Sequence, residues 1–99
     1  MIRGTTPTIC FKLPLPNDQI SECWLTINQR GEEVITKTKS DITYDGEKYS
    51  VKMTQEETLQ LDDSQYAEIQ LRLRTASGDA LASKVARVDV LKILKDGVI

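Results

Sequence analysis

Apolar and polar side chains alternate along most of this chain, which is the pattern of β-strands that bury one face. The alternation is clearest over residues 66–75, where every second residue from Ala67 to Leu73 is apolar and every residue between them is polar. Similar patterns predict six further strands, over residues 8–13, 21–29, 34–38, 42–44, 49–53 and 82–91. The chain is therefore predicted to be mostly β.

Turn-forming residues separate the predicted strands. Residues 30–32 and 77–79 predict turns, and Asp45-Gly46 predicts a type I′ hairpin turn because these residue types tolerate the positive φ that it requires. Thr54 and Glu57 have the spacing of a capping box, so one or two helical turns are predicted to follow, through Leu59. This helix falls between the fifth and sixth strands.

About seven short strands with turns between them fit two antiparallel sheets packed face to face, as in an immunoglobulin-like β-sandwich. The short helix would bridge the two sheets. A small open barrel has the same periodicity and stays an alternative. With 99 residues, the chain has the size of one domain. We predict a single sandwich domain over 1–91 and a C-terminal tail over 92–99 that is either loose or docked on a partner.

The charge balance argues against a nucleic-acid partner, since a net charge of -2 lacks the basic excess that neutralises phosphates. Lys37 with Lys39, and Arg72 with Arg74, recur at every second position, so each pair is expected on one outward, solvated strand face. No apolar run is long enough to cross a bilayer, and residues 1–5 lack the apolar region of a signal peptide. We expect that the protein has no membrane partner and that it is synthesised in the cytoplasm.

Candidate catalytic chemistry is sparse. The chain has no histidine, which removes the commonest general base and the commonest transition-metal ligand. Its five glycines form no phosphate-binding motif, and its paired acids lack the spacing of a calcium loop. Cys10 and Cys23 are expected to be buried free thiols, with a disulfide as the alternative if their strands are adjacent. We expect no enzymatic activity, no cofactor and no metal.

The residue that most invites a functional interpretation is Trp24, the only tryptophan. If Cys23 and its alternate neighbours face the core, Trp24 lies on the outer face, where a large aromatic is often an anchor of protein contacts. The alternative is that the loop over 14–16 or the tail covers it. The candidate interface residues are Trp24, Thr26 and Asn28, then Arg72 and Arg74, then the apolar tail residues Ile93, Leu94, Val98 and Ile99.

Several stretches of the chain resemble a group of small phage and prophage proteins of gut Firmicutes. They are MIRGTTPT at 1–8, VKMTQEETL at 51–59, AEIQLR at 67–72 and GDALAS at 78–83. Such proteins look like tail- or virion-associated components, and no functional residue is carried over from them. The resemblance implies a non-enzymatic structural or assembly protein that contacts other virion components or forms a homo-oligomer. It would be made in the cytoplasm of the bacterial host and then enter the virion. The alternative is a binding module for a host protein or a surface glycan.

Overall fold

The computed structural model describes all residues from 1 to 99 and is mostly β, as the alternation predicts. The strands are β1 (Thr8–Phe11), β2 (Ile20–Gln29), β3 (Glu32–Lys37), β4 (Thr43–Tyr44), β5 (Tyr49–Lys52), β6 (Ala67–Thr75), β7 (Ala80–Ala82) and β8 (Ala86–Val88). One α-helix, α1 (Gln55–Leu59), lies between the fifth and sixth strands, as predicted, and short 3₁₀ turns cover Asn17–Gln19 and Lys39–Asp41. None of these helices is long and apolar enough to span a membrane.

The strands form two antiparallel sheets around a common core. The larger sheet has the order β3-β2-β6, and both β7 and β8 pair with the far side of β6. The smaller sheet has the order β1-β5-β4. Both sheets and the segments that connect them contribute to the main core, which contains Leu25, Ile27, Ile35, Val51, Met53, Leu61, Ala67 and Val90. Burial of these apolar side chains is the main force that holds the two sheets together.

The last predicted strand differs most from the structure. Instead of one strand over 82–91, β7 and β8 are separated by residues 83–85, so the chain has eight strands. Ser83 causes the interruption, because its Oγ accepts the backbone N–H of Leu71 at 3.0 Å while its own N–H donates to the Leu71 carbonyl at 2.8 Å. A side chain thus takes the place of one backbone acceptor along this edge.

A hairpin connects β4 and β5 at Asp45-Gly46, as predicted, but its turn is longer than the predicted two residues. Tyr44 pairs with Tyr49, so four residues connect β4 to β5, and only Gly46 among them has a positive φ, of 97°. The Asp45 carboxylate accepts two backbone N–H groups of this loop, which stabilises the longer connection. The type I′ prediction for Asp45-Gly46 is therefore wrong. The turn predicted at 30–32 is confirmed, and there Arg30-Gly31 forms a two-residue connection between β2 and β3, with φ values of 54° and 77°.

Lys37 points inward, which overturns its expected place on a solvated face. It lies opposite Leu25 in the β2–β3 register and is buried. Its Nζ is 2.7 Å from Oε1 of Glu57 in α1, and this ion pair makes burial of the ammonium tolerable. The capping box is confirmed, since Glu57 also accepts the Thr54 N–H and Thr54 Oγ1 accepts the Glu57 N–H. The ion pair thereby ties the helix to the edge of the larger sheet.

The two cysteines are free and have different environments. Cys23 is buried, as expected, and burial raises the pKa of its thiol to about 11, with the Glu22 carboxylate adding to the shift. Cys10 is exposed, which corrects the expectation that both thiols are buried. It lies opposite Ser50 on edge strand β1, where the alternate residues rather than Cys10 pack toward the core.

The tail over 92–99 is tied to its own domain at several points. Leu91 pairs with Ile2 in a single parallel bridge just before the tail begins. Within the tail, Asp96 forms an ion pair with Arg3 at 2.8 Å. The Arg3 guanidinium also donates to two backbone carbonyls at the end of α1 and just beyond it. The tail therefore lies against the N-terminal segment and the α1 region.

Candidate protein-contact surface

The larger sheet has one face toward the smaller sheet and one face open to solvent. We call the second one the outer face. On β2 and β6 the alternation places every second residue there, and the β2–β3 register adds two residues from β3. The outer face contains Glu22, Trp24, Thr26, Asn28, Glu33, Thr36, Glu68, Gln70, Arg72 and Arg74, and also Arg87 of β8, which lies opposite Glu68.

Five of the nine interface candidates come together on this face. The antiparallel register sets Trp24 opposite Arg72 and Thr26 opposite Gln70, and it sets Asn28 opposite Glu68. Trp24 is 44% exposed, so neither the loop over 14–16 nor the tail covers it. Of the two alternatives for Trp24, the structure thus shows the exposed one.

Trp24 and Arg72 form a cationic and aromatic pair. The guanidinium carbon of Arg72 lies 5.7 Å from the centroid of the indole ring, within the range of a cation–π interaction. Beside them is a shallow depression of about 170 Å³, which Glu22, Arg74 and Ala80 also line. Pockets that enclose a drug-sized ligand usually have roughly 300–1,000 Å³, so this depression suits one protruding side chain better than a small molecule.

The charges at this end of the outer face are not neutralised by ion pairs. Neither Arg72 nor Arg74 has a carboxylate within ion-pair distance, and the Nε of Arg74 donates to Ser21 Oγ at 3.2 Å. Glu22 lies opposite Arg74, but its carboxylate accepts two backbone N–H groups, from Cys23 at 2.8 Å and from Lys39 at 3.3 Å. These two hydrogen bonds lower the pKa of Glu22. We call Arg72 and Arg74 the basic end of the outer face.

The other end of the same face is acidic. Glu68 and Glu33 both lie opposite Asn28, one on each side of it, and neither carboxylate forms an ion pair within the chain. Arg87 on β8 lies opposite Glu68, but its guanidinium carbon stacks 3.6 Å from the centroid of the Tyr66 ring. We call Glu33 and Glu68 the acidic end. Sequence reasoning did not select these two residues, although the alternation of β6 already places Glu68 on the outer face.

The tail candidates lie elsewhere and differ from one another. Ile93 is half-buried, and its Cδ1 lies 3.0 Å from the position that a Cβ on Gly4 would occupy. It therefore packs against Gly4 of its own domain. Leu94 is 99% exposed, and Val98 and Ile99 are exposed as well. The tail therefore offers apolar side chains, but it is not joined to the outer face.

The outer face presents an aromatic ring, guanidinium groups, carboxylates and amides, which recognise other molecules by packing, charge and hydrogen bonds. No group of three or more His, Cys, Asp or Glu side chains lies close enough together to hold a metal ion. No protein-family model matches the chain, and no curated protein matches it.

Proposed function

We propose that this protein is a non-enzymatic structural or assembly component of a phage or prophage, and that it acts through protein contacts made by its outer face. The single observation that supports this contact surface best is the exposure of Trp24 beside two arginines without ion pairs. Tryptophan and arginine are among the residue types most enriched at the energetic centres of protein interfaces.

The position of these residues in the fold favours the same proposal. β2 and β6 are inner strands of the larger sheet, with hydrogen-bonded neighbours on both sides. Side chains on such strands lose little backbone freedom when a partner binds. The depression beside Trp24 has room for one side chain of a partner.

The phage assignment is supported by the resemblance of the four sequence stretches, two of which contribute buried residues to the fold. VKMTQEETL at 51–59 ends β5 and forms α1, and it contains the fully buried Met53 and Thr58. AEIQLR at 67–72 begins β6 with the buried Ala67. Two of the four stretches thus contribute buried residues to the scaffold, for which we propose an immunoglobulin-like sandwich. AEIQLR also includes Glu68, Gln70 and Arg72, so part of the outer face lies within the shared stretches.

The test is particle association in a bacterium whose prophage encodes the chain. After induction, particles and assembly intermediates are separated on a density gradient and analysed by quantitative mass spectrometry. We expect the chain at a fixed copy number in one of these fractions. Trp24→Ala should reduce that number, and Lys52→Ala, at an exposed position of the smaller sheet, is the control. Absence of the wild-type chain from every assembly fraction would refute the proposal.

A further inference from the structure

We propose that the outer face binds a second copy of this chain, with the strands of the two copies antiparallel, so that Arg72 of each copy meets Glu68 of the other. This inference deepens the proposed function, since it rests on the outer face being the contact surface and names its partner.

The charge pattern of the outer face is self-complementary. Arg72 and Glu68 lie on the same strand and the same face, four residues apart, which is about 13 Å at about 3.3 Å per residue. Thr26 and Gln70 form the row midway between the two ends. A two-fold axis that lies in the interface and crosses the strands at this row exchanges the basic and acidic ends. Such an interface uses the same patch on both copies, and each contact away from the axis occurs twice.

The same rotation brings uncharged groups into suitable positions. It places Trp24 over Asn28 of the other copy, and it places Thr26 and Gln70 over their own equivalents. The middle of the contact would then contain an indole over an amide and a row of hydroxyl and amide groups. None of these groups is charged, so no unpaired charge would be buried there. The sheets of two stacked copies would lie about 10 Å apart, which the aromatic and arginine side chains can fill.

The other symmetric arrangement is electrostatically unfavourable. A two-fold axis along the strands would gather the Arg72 and Arg74 guanidinium groups of both copies at one end and the Glu33 and Glu68 carboxylates at the other. Like charges placed opposite each other in an interface are strongly repulsive. The antiparallel arrangement instead sets Arg72 of each copy against Glu68 of its partner.

The area of the face indicates a dimer of modest affinity. β2 has 10 residues and the face is four strands wide, which gives about 33 Å by about 19 Å, or roughly 630 Å² per copy. Stable interfaces usually bury about 800 Å² per partner, so this one falls near the lower limit of the common size class. We expect a reversible dimer with a dissociation constant in the micromolar range.

The test is a charge exchange measured by sedimentation velocity and light scattering over a concentration range from about 5 μM to about 1 mM. Arg72→Glu and Glu68→Arg should each weaken dimerisation at least about tenfold, because each variant creates two like-charge contacts. The double variant restores opposite charges across the interface and should return to within about threefold of wild type. Lys52→Glu, at an exposed position of the smaller sheet, makes the same charge change as Arg72→Glu and should leave dimerisation unchanged.

Two further measurements keep the result decisive. The wild-type dimer should weaken as salt rises from about 50 mM to about 300 mM, which tests the ion pairs even if a variant fails to fold. Far-UV circular dichroism checks the fold of each variant. A wild-type monomer up to about 1 mM, a dimer insensitive to salt, or a folded double variant as weak as the single variants would each overturn the inference. A monomer that still enters particles would refute the self-pairing alone, whereas a dimer that is absent from all assembly fractions would refute the proposed function alone.

Discussion

The inward ion pair between Lys37 and Glu57 makes a specific prediction about stability. Glu57→Gln removes the negative charge but keeps the capping box, because a glutamine oxygen can still accept the Thr54 N–H. The change therefore leaves the helix start intact and leaves the Lys37 ammonium without a charged partner, at a position where only 11% of its side chain is exposed.

The magnitude follows from distance and exposure. At 2.7 Å the attraction is about 6 kcal/mol with an effective dielectric constant of about 20, and much of it only offsets the cost of desolvating the two charges. Removing one partner of a fully buried pair costs about 3–5 kcal/mol, and an exposed pair contributes about 0.2–1 kcal/mol. Since 23% of the Glu57 side chain still reaches solvent, we expect Glu57→Gln to lower the free energy of unfolding by about 2 kcal/mol.

Urea denaturation at a series of pH values measures this effect and its pH dependence. Burial opposes ionisation of Glu57, but its hydrogen bonds with Lys37 and the Thr54 N–H outweigh burial and lower the pKa below the ordinary value of 4.5. A lowered folded-state pKa gives stabilisation that is present above the unfolded-state pKa and is lost as the pH falls through the folded-state pKa. The difference in the free energy of unfolding between wild type and Glu57→Gln should therefore be complete at neutral pH and should disappear below pH 4.5.

Lys37→Met is the matched control, because it removes the buried ammonium and leaves Glu57 with its backbone hydrogen bond and its access to solvent. It should stay within about 1 kcal/mol of wild type. The reasoning is refuted if Lys37→Met loses as much stability as Glu57→Gln, or if the gap for Glu57→Gln persists at a pH well below 4.5.

The remaining predictions concern single positions. A thiol reagent should label Cys10 at once and Cys23 only after unfolding, since the Cys23 thiol is buried and has a pKa of about 11. Mass spectrometry that finds both cysteines labelled in the folded protein would contradict this prediction. Gln29→Ala should lower the free energy of unfolding by about 2 kcal/mol, because both the oxygen and the nitrogen of the buried amide form hydrogen bonds with the backbone of the loop before β6. A loss under about 0.5 kcal/mol in urea denaturation would contradict this prediction. Gly4→Ala should destabilise the protein by about 1 kcal/mol more than Gly31→Ala, since both glycines have positive φ but only Gly4 has side chains close to its Cβ position. Equal melting temperatures of the two variants would be evidence against that contact.

Local signals in the sequence predicted the elements that depend on local physics. The alternation along β2 and β6 identified their buried faces, since side chains of a strand point to opposite sides whatever the strand order. The capping box at Thr54 and Glu57 predicted the start of α1, because both of its hydrogen bonds form within four residues. Trp24 was placed on the outer side for the same reason as its buried neighbours were placed inside.

Features that depend on strand order could not be predicted in this way. The inward side of Lys37 follows from its alternation with Ile35, but the packing of α1 supplies the Glu57 carboxylate that allows its burial, and local patterns do not indicate that contact. The residues around Cys10 alternate as in a half-buried strand, but β1 is an edge strand of the smaller sheet, and the side of β1 that carries Cys10 faces solvent. The opposition of Trp24 and Arg72 required the register between two strands that are nearly 50 residues apart in sequence.

The outer face is a better contact surface than the opposite side of the protein because of how its strands are held. The smaller sheet has strands of only two to four residues, whereas β2 has 10 and β6 has 9 and each is paired on both sides. Long, doubly paired strands hold Trp24 and Arg72 in one relative position before any partner arrives, which reduces the ordering cost of binding. They also keep Arg72 about four residues away from Glu68, too far for these charges to pair within the chain, so that their attraction remains available to another molecule.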